Sequence, residues 1–118
     1  VIGAGVAGSL AALRLSKLGY RVLIVEAKQF PREKVCGCCL NQRGIRVLTR
    51  AGLLERFLGL DGSRIDQWHL SFNGKSFRWQ IPELIATKRS QLDSMLVECA
   101  VEAGAKFMHQ TRGFVLPI

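Results

Sequence analysis

The chain has 118 residues, 48% of them hydrophobic and 22% charged, which excludes a disordered chain and leaves room for one domain with its own core. The formal net charge is +8, a balance that suits a polyanionic partner or a chain whose acidic counterweight lies elsewhere. No apolar run reaches the roughly 18 residues that crossing a bilayer requires, and residues 1–8 carry neither the charged start nor the cleavage site of a signal peptide. Cys36, Cys38 and Cys39 are too crowded for a disulfide framework, which points to a reducing, cytoplasmic setting.

The chain opens on Val1-Ile2-Gly3, as if inside a strand, so we expect it to be the N-terminal part of a longer protein. Ala7 to Leu18 is predicted to be a helix, with Leu10, Leu13 or Leu15, and Leu18 on its buried side and Gly19 as its stop. Tyr20 to Val25 is a short, almost wholly apolar segment, expected as a strand covered on both faces of a parallel sheet. Together these segments form a βαβ unit. Lys28 to Leu40 is expected as a loop. Asn41 caps a helix over Asn41 to Ala51, Gly52 interrupts it, and Leu53 to Leu58 continues as a second short helix.

The hydrophobic period then changes to two. Trp68, Leu70 and Phe72 alternate with polar residues, Asn73-Gly74 follows, and Phe77, Trp79 and Ile81 alternate again. This pattern predicts a hairpin over 65–82 with a type I′ turn and one apolar face, whose Trp68, Phe72, Phe77 and Trp79 either pack the hairpin or line an apolar substrate pocket. Ser90-Gln91-Leu92-Asp93 reads as a capping box, with Asp replacing the usual Glu, opening a helix to about Ala103. Gly104 ends that helix, and Lys106 to His109 is expected as a further strand.

Gly3-Ala4-Gly5-Val6-Ala7-Gly8 is a G-x-G-x-x-G loop between a strand stub and a helix, and the next strand ends in Glu26, 18 residues beyond Gly8. Gly3 permits the tight turn, Gly5 lets a diphosphate approach the backbone, and Gly8 allows close helix–sheet packing. The helix N-terminus offers unpaired N–H groups to phosphate, and Glu26 can accept from a ribose diol. An adenine dinucleotide site is the predicted role; a glycine turn serving only packing is the plain alternative.

Val1 to Gly8 through Val25-Glu26-Ala27 resembles the N-terminus of FAD-dependent oxidoreductases. Phe30-Pro31-Arg32-Glu33-Lys34-Val35-Cys36-Gly37 is similar to the geranylgeranyl-reductase-like branch, related to the aromatic hydroxylases of the para-hydroxybenzoate hydroxylase type and to the flavin-dependent halogenases. Cys38-Cys39 departs from the glycine-rich continuation of that branch. Thr87 to Asp93 resembles the segment in which an arginine precedes a helix and contacts the flavin.

The resemblance implies an α/β, Rossmann-like FAD-binding domain over 1–118, with the 65–82 hairpin contributing to a second, substrate domain. It places FAD on Gly3, Ala4, Gly5, Val6, Ala7, Gly8, Glu26 and Ala27, with Arg89 beside it and Arg32 and Lys34 near it. It implies NAD(P)H as the candidate donor and either reduction of an isoprenoid double bond or oxygen-dependent hydroxylation or halogenation of an aromatic substrate. The 118 residues alone are expected to show no turnover.

Cys36 is the candidate for thiol chemistry, activated by Arg32 and Lys34, against the plainer reading of small residues in a tight loop. No metal site is expected, because Cys36 and Cys39 lack a second ligand pair; Cys99 is expected in the core. His69 and His109 have no neighbouring partner in sequence. Arg43, Arg46 and Arg50 form a basic stripe, either a wet helix face, a steering surface for an anionic cofactor or a peripheral contact with acidic lipid. The scattered charge makes a nucleic-acid-binding module the less favoured class, beside an inert gene remnant. The oligomeric state is not legible.

Overall fold

The structure, a computed structural model, describes residues 1–36 and 39–116. Gly37 and Cys38, part of the cysteine segment, lie outside the described residues. The chain divides into two compact units, one of residues 1–35 and 89–118 and one of residues 36–88.

The first unit is the α/β part. Helix α1 (Val6–Lys17) and helix α4 (Arg89–Glu102) pack on each other and on a parallel pair, β1 (Leu23–Val25) and β5 (Lys106–Met108). The opening residues add a third parallel segment: Ile2 bridges Val25, and Gly3 N donates to Val25 O at 2.7 Å. Gly19 stops α1 as expected, at φ +86°, with its N–H on Ser16 O.

The buried side of α1 is Ser9, Ala12, Leu13 and Ser16, while Leu15 and Leu18 are exposed, Leu18 by 73%. The expected leucine stripe is therefore corrected. The buried residues of α1 are mostly small, and the bulk of this core comes from α4 instead, through Leu92, Met95, Leu96 and Val97. Cys99 is buried there, as expected. The second strand is also shorter and less covered than its apolar sequence suggests. Val22 and Ile24 are buried, but Leu23 between them is 41% exposed, because alternate residues face opposite sides and the helices cover one.

The second unit is an antiparallel sheet, β2–β4–β3, with two helices. Helix α2 (Gln42–Ala51) starts at Asn41, whose Oδ1 accepts from the amides of Arg43 and Gly44 at 3.1 Å, and Gly52 closes it in the left-handed conformation at φ 73°. Helix α3 (Leu54–Leu58) follows. Strands β3 (Gly62–Phe72) and β4 (Lys75–Thr87) make a hairpin longer than expected, and β2 (Cys39–Leu40), expected as loop, adds to its β4 edge. Asn73 and Gly74 both have positive φ, as a type I′ turn requires. The register shifts between Ile65 and Gln67, opposite the stretch containing Pro82, which has no N–H to give the ladder.

The hairpin's apolar face is aligned as predicted but not packed. Trp68 pairs with Trp79, the rings stacked at 6.4 Å, and Leu70 pairs with Phe77, yet Trp68, Leu70, Phe72, Phe77 and Trp79 are all exposed. Cross-strand contact accounts for their alternation. The Arg43, Arg46 and Arg50 stripe lies on the wet side of α2.

Leu96 is fully buried on α4. Leu96→Ala is expected to cost about 2–5 kcal/mol, read as a lowered denaturant midpoint in equilibrium unfolding.

Candidate functional site

The site is built where the opening strand turns into α1. Gly3 has φ +99°, which a side chain would resist. A Cβ on Gly8 would collide with the Gly3 carbonyl, so the third glycine sets the closeness of turn and helix. Gly5 is the N-cap of α1 and supplies no side chain to its amides. The first i→i−4 bond runs from Ser9 N to Gly5 O at 2.9 Å, so the amides of Val6, Ala7 and Gly8 precede it. No acidic side chain stands in that first turn. The result is an electropositive backbone end open at Gly5.

Glu26 lies at the end of β1 and is only 7% exposed. Its Oε2 accepts from Ala4 N at 2.9 Å and its Oε1 from Lys28 N at 3.0 Å. Burial alone pushes its pKa up. The amides of Lys28 and Ala4, the Arg32 guanidinium and the Ala27 amide outweigh that and hold it below the ordinary value of 4.5. Glu26 is thus ionised at neutral pH and fastened to the glycine turn. Ala4 and Ala27 serve the site through their backbone, as anchors of this carboxylate.

Two guanidinium groups converge on Gly5. A Cβ there would stand 3.5 Å from Arg32 Nη2 and 3.9 Å from Arg89 Nη2. Arg32 Nε sits 3.4 Å from Glu26 Oε2, and Arg32 Nη2 sits 3.3 Å from Asp93 Oδ2. Among the described residues, the buried Arg32 Nε has no hydrogen-bond partner of good geometry. Arg89 binds Asp93 as a fork, Nε to Oδ1 and Nη2 to Oδ2, both at 3.0 Å. Beside Gly5 a cleft of about 640 Å³ is lined by Gly3, Glu26, Lys28, Arg32 and Lys34.

The structure therefore brings together Gly3, Gly5, Glu26, Arg32, Lys34 and Arg89. The capping box is corrected: α4 already begins at Arg89, so Ser90 lies inside its first turn and Asp93 spends its carboxylate on arginines. Sequence reasoning missed that role. The available signal was the i,i+4 spacing of Arg89 and Asp93 on one helix face. Cys36 is exposed, and Cys39 is exposed in β2. His109 does have a partner, distant in sequence: its Nδ1 accepts from Phe30 N at 3.4 Å. His69 is exposed beside Ser71.

A diphosphate and a ribose fit these residues. The diphosphate needs close backbone approach, helix amides and cationic forks, all present at Gly5, and the ribose needs an ionised acceptor, present at Glu26. Because the folded-state pKa of Glu26 is depressed, its stabilising contribution is complete above pH about 4.5 and is lost as pH falls through the lower folded value. Urea midpoints measured from pH 7 down to pH 3 are expected to fall, and Glu26→Gln is expected to flatten that fall while lowering the midpoint at neutral pH.

Comparison with known proteins bears on the family of the chain. A menaquinone reductase of Mycolicibacterium smegmatis is 37% identical over 120 residues, a match covering 95% of this chain and 28% of the relative. A squalene monooxygenase of Panax ginseng is 33% identical over 82 residues, covering 70% of this chain and 15% of the relative. Among solved structures, a flavin-dependent brominase superposes with a TM-score of 0.71 at 29% identity, covering 91% of this chain and 27% of that one. The chain thus spans less than a third of the length of each of these relatives. Residues 1–116 match the family described as FAD binding domain, and the chain belongs to that family.

Proposed function

We propose that the chain holds FAD with its diphosphate against Gly5 and the α1 amides of Val6 and Ala7, between Arg32 and Arg89, and with its adenosine ribose on Glu26. One observation carries this assignment: two guanidinium nitrogens stand within 3.5 and 3.9 Å of the place a Gly5 side chain would take, next to an ionised, amide-anchored Glu26. Gly3 and Gly8 shape the turn, Ala4 and Ala27 hold the carboxylate, and Lys34 lines the cleft. Bound FAD supplies two-electron redox chemistry; the residues here bind and orient it and neutralise its charge.

The protein to which this domain belongs is read as an FAD-dependent oxidoreductase of the geranylgeranyl-reductase-like kind, reducing an isoprenoid substrate with electrons from NAD(P)H. The menaquinone reductase relative supports this choice. A second reading, oxygen-dependent hydroxylation or halogenation, is favoured by the likeness to the squalene monooxygenase and the brominase. Among the described residues none offers itself as the acid or base; Cys36, exposed near Lys34 in sequence, is a candidate thiol. No helix among the described residues is long and apolar enough to cross a membrane. The exposed arginine stripe of α2 supports peripheral contact with an acidic lipid surface.

The full-length protein, incubated anaerobically with NAD(P)H and a polyprenyl substrate, is expected to give a product two mass units heavier per double bond reduced. A product that forms only with oxygen, and gains an oxygen atom or a halogen, would establish the second reading. Gly5→Val fills the space facing both arginines and is expected to abolish flavin retention, measured as the ratio of visible to ultraviolet absorbance.

A further inference from the structure

We propose that Asp93 is the positioning residue of the diphosphate site: one buried carboxylate that holds both arginines in place for the anion. This deepens the FAD assignment above and rests on it. Asp93 has no solvent exposure, an expensive place for a carboxylate unless it is paired and hydrogen-bonded. Its two oxygens take the Arg89 fork at 3.0 Å each, and Oδ2 also lies 3.3 Å from Arg32 Nη2. Both arginine side chains are nearly covered, at 12% and 14% exposure.

The two guanidinium groups repel each other and gain from water; left alone, they would swing out to solvent. Asp93 offsets that repulsion from behind. The same Nη2 atoms that face Asp93 are the ones nearest Gly5. Glu26 continues the alternation, so the order Glu26–Arg32–Asp93–Arg89 runs negative, positive, negative, positive along the site.

Asp93 acts on an anion in two opposed ways. Its charge repels phosphate directly, while its hydrogen bonds from Arg89 and its ion pair with Arg32 fix the cations that attract phosphate. Anchoring dominates here, because the carboxylate is fully buried and committed to the Arg89 fork and the Arg32 ion pair, whereas an unanchored arginine must be re-ordered each time a ligand binds. The two effects predict opposite signs on substitution, so affinity decides between them.

The test uses the full-length apoprotein, titrated with FAD by quenching of flavin fluorescence, with inorganic pyrophosphate as the competitor and thermal unfolding as a check on folding. Asp93→Asn, close in shape and neutral, is expected to raise the FAD Kd about tenfold or more and to weaken pyrophosphate competition in parallel. In an Arg89→Ala background the same substitution is expected to cost much less, since part of its effect runs through Arg89; a merely structural role would cost the same in both backgrounds. Asp93→Glu keeps the charge one methylene away and is expected to fall between wild type and Asp93→Asn, and it carries the test if Asp93→Asn does not fold. Unchanged or tighter FAD binding in the folded variant, or equal losses in both backgrounds, would overturn the proposal. Failure of the wild-type protein to bind FAD would instead overturn the FAD assignment.

Discussion

The carboxylate of Glu26 is the constraint on which this site depends. It closes β1, reaches back to the amide of Ala4 in the glycine turn, and takes the amide of Lys28 on its other oxygen. A buried carboxylate is tolerable only where such donors meet it. By meeting them, Glu26 ties the end of one strand to the turn that leaves its neighbour. The position of Gly5 relative to β1, and with it the distance between the proposed phosphate and ribose positions, follows from that tie. Desolvation opposes ionisation, and the amides and Arg32 outweigh it.

The helices explain why the cations are where they are. Helices α1 and α4 pack on each other, with small residues Ser9, Ala12 and Ser16 among the buried residues of α1, and the N-terminal turn of α4 reaches Gly5 through Arg89. Arg89 opens that turn and Asp93 sits one turn on, so their pairing is set by helical geometry. Arg32 arrives from the loop after β1 and joins both carboxylates. Backbone amides alone would bind many anions; two guanidinium groups sharing one counterion would give the proposed phosphate site shape as well as charge.

Much of this was legible in the residues. The three glycines, the strand end at Glu26, the Asn41 cap and the Asn73-Gly74 turn are local devices, each set by a backbone or spacing requirement, and each appears where the sequence places it. The misreadings share a different cause. The buried stripe of α1 depended on what α4 packs against, which periodicity on α1 alone does not contain. Ser90 to Asp93 has the letters of a cap, but α4 already begins at Arg89, and the aspartate pairs with Arg89 one turn back and with Arg32 from the loop after β1. The alternating aromatics of β3 and β4 did predict pairing across the hairpin; burial is a separate property, and alternation does not supply it.

The most direct measurement is a crystal structure of the full-length protein with FAD bound. The account predicts phosphate oxygens in the space beside Gly5, within hydrogen-bond reach of the α1 amides and of Arg32 or Arg89, and ribose hydroxyls on Glu26. Density placing the diphosphate away from Gly5, or the ribose on any group other than Glu26, would contradict it.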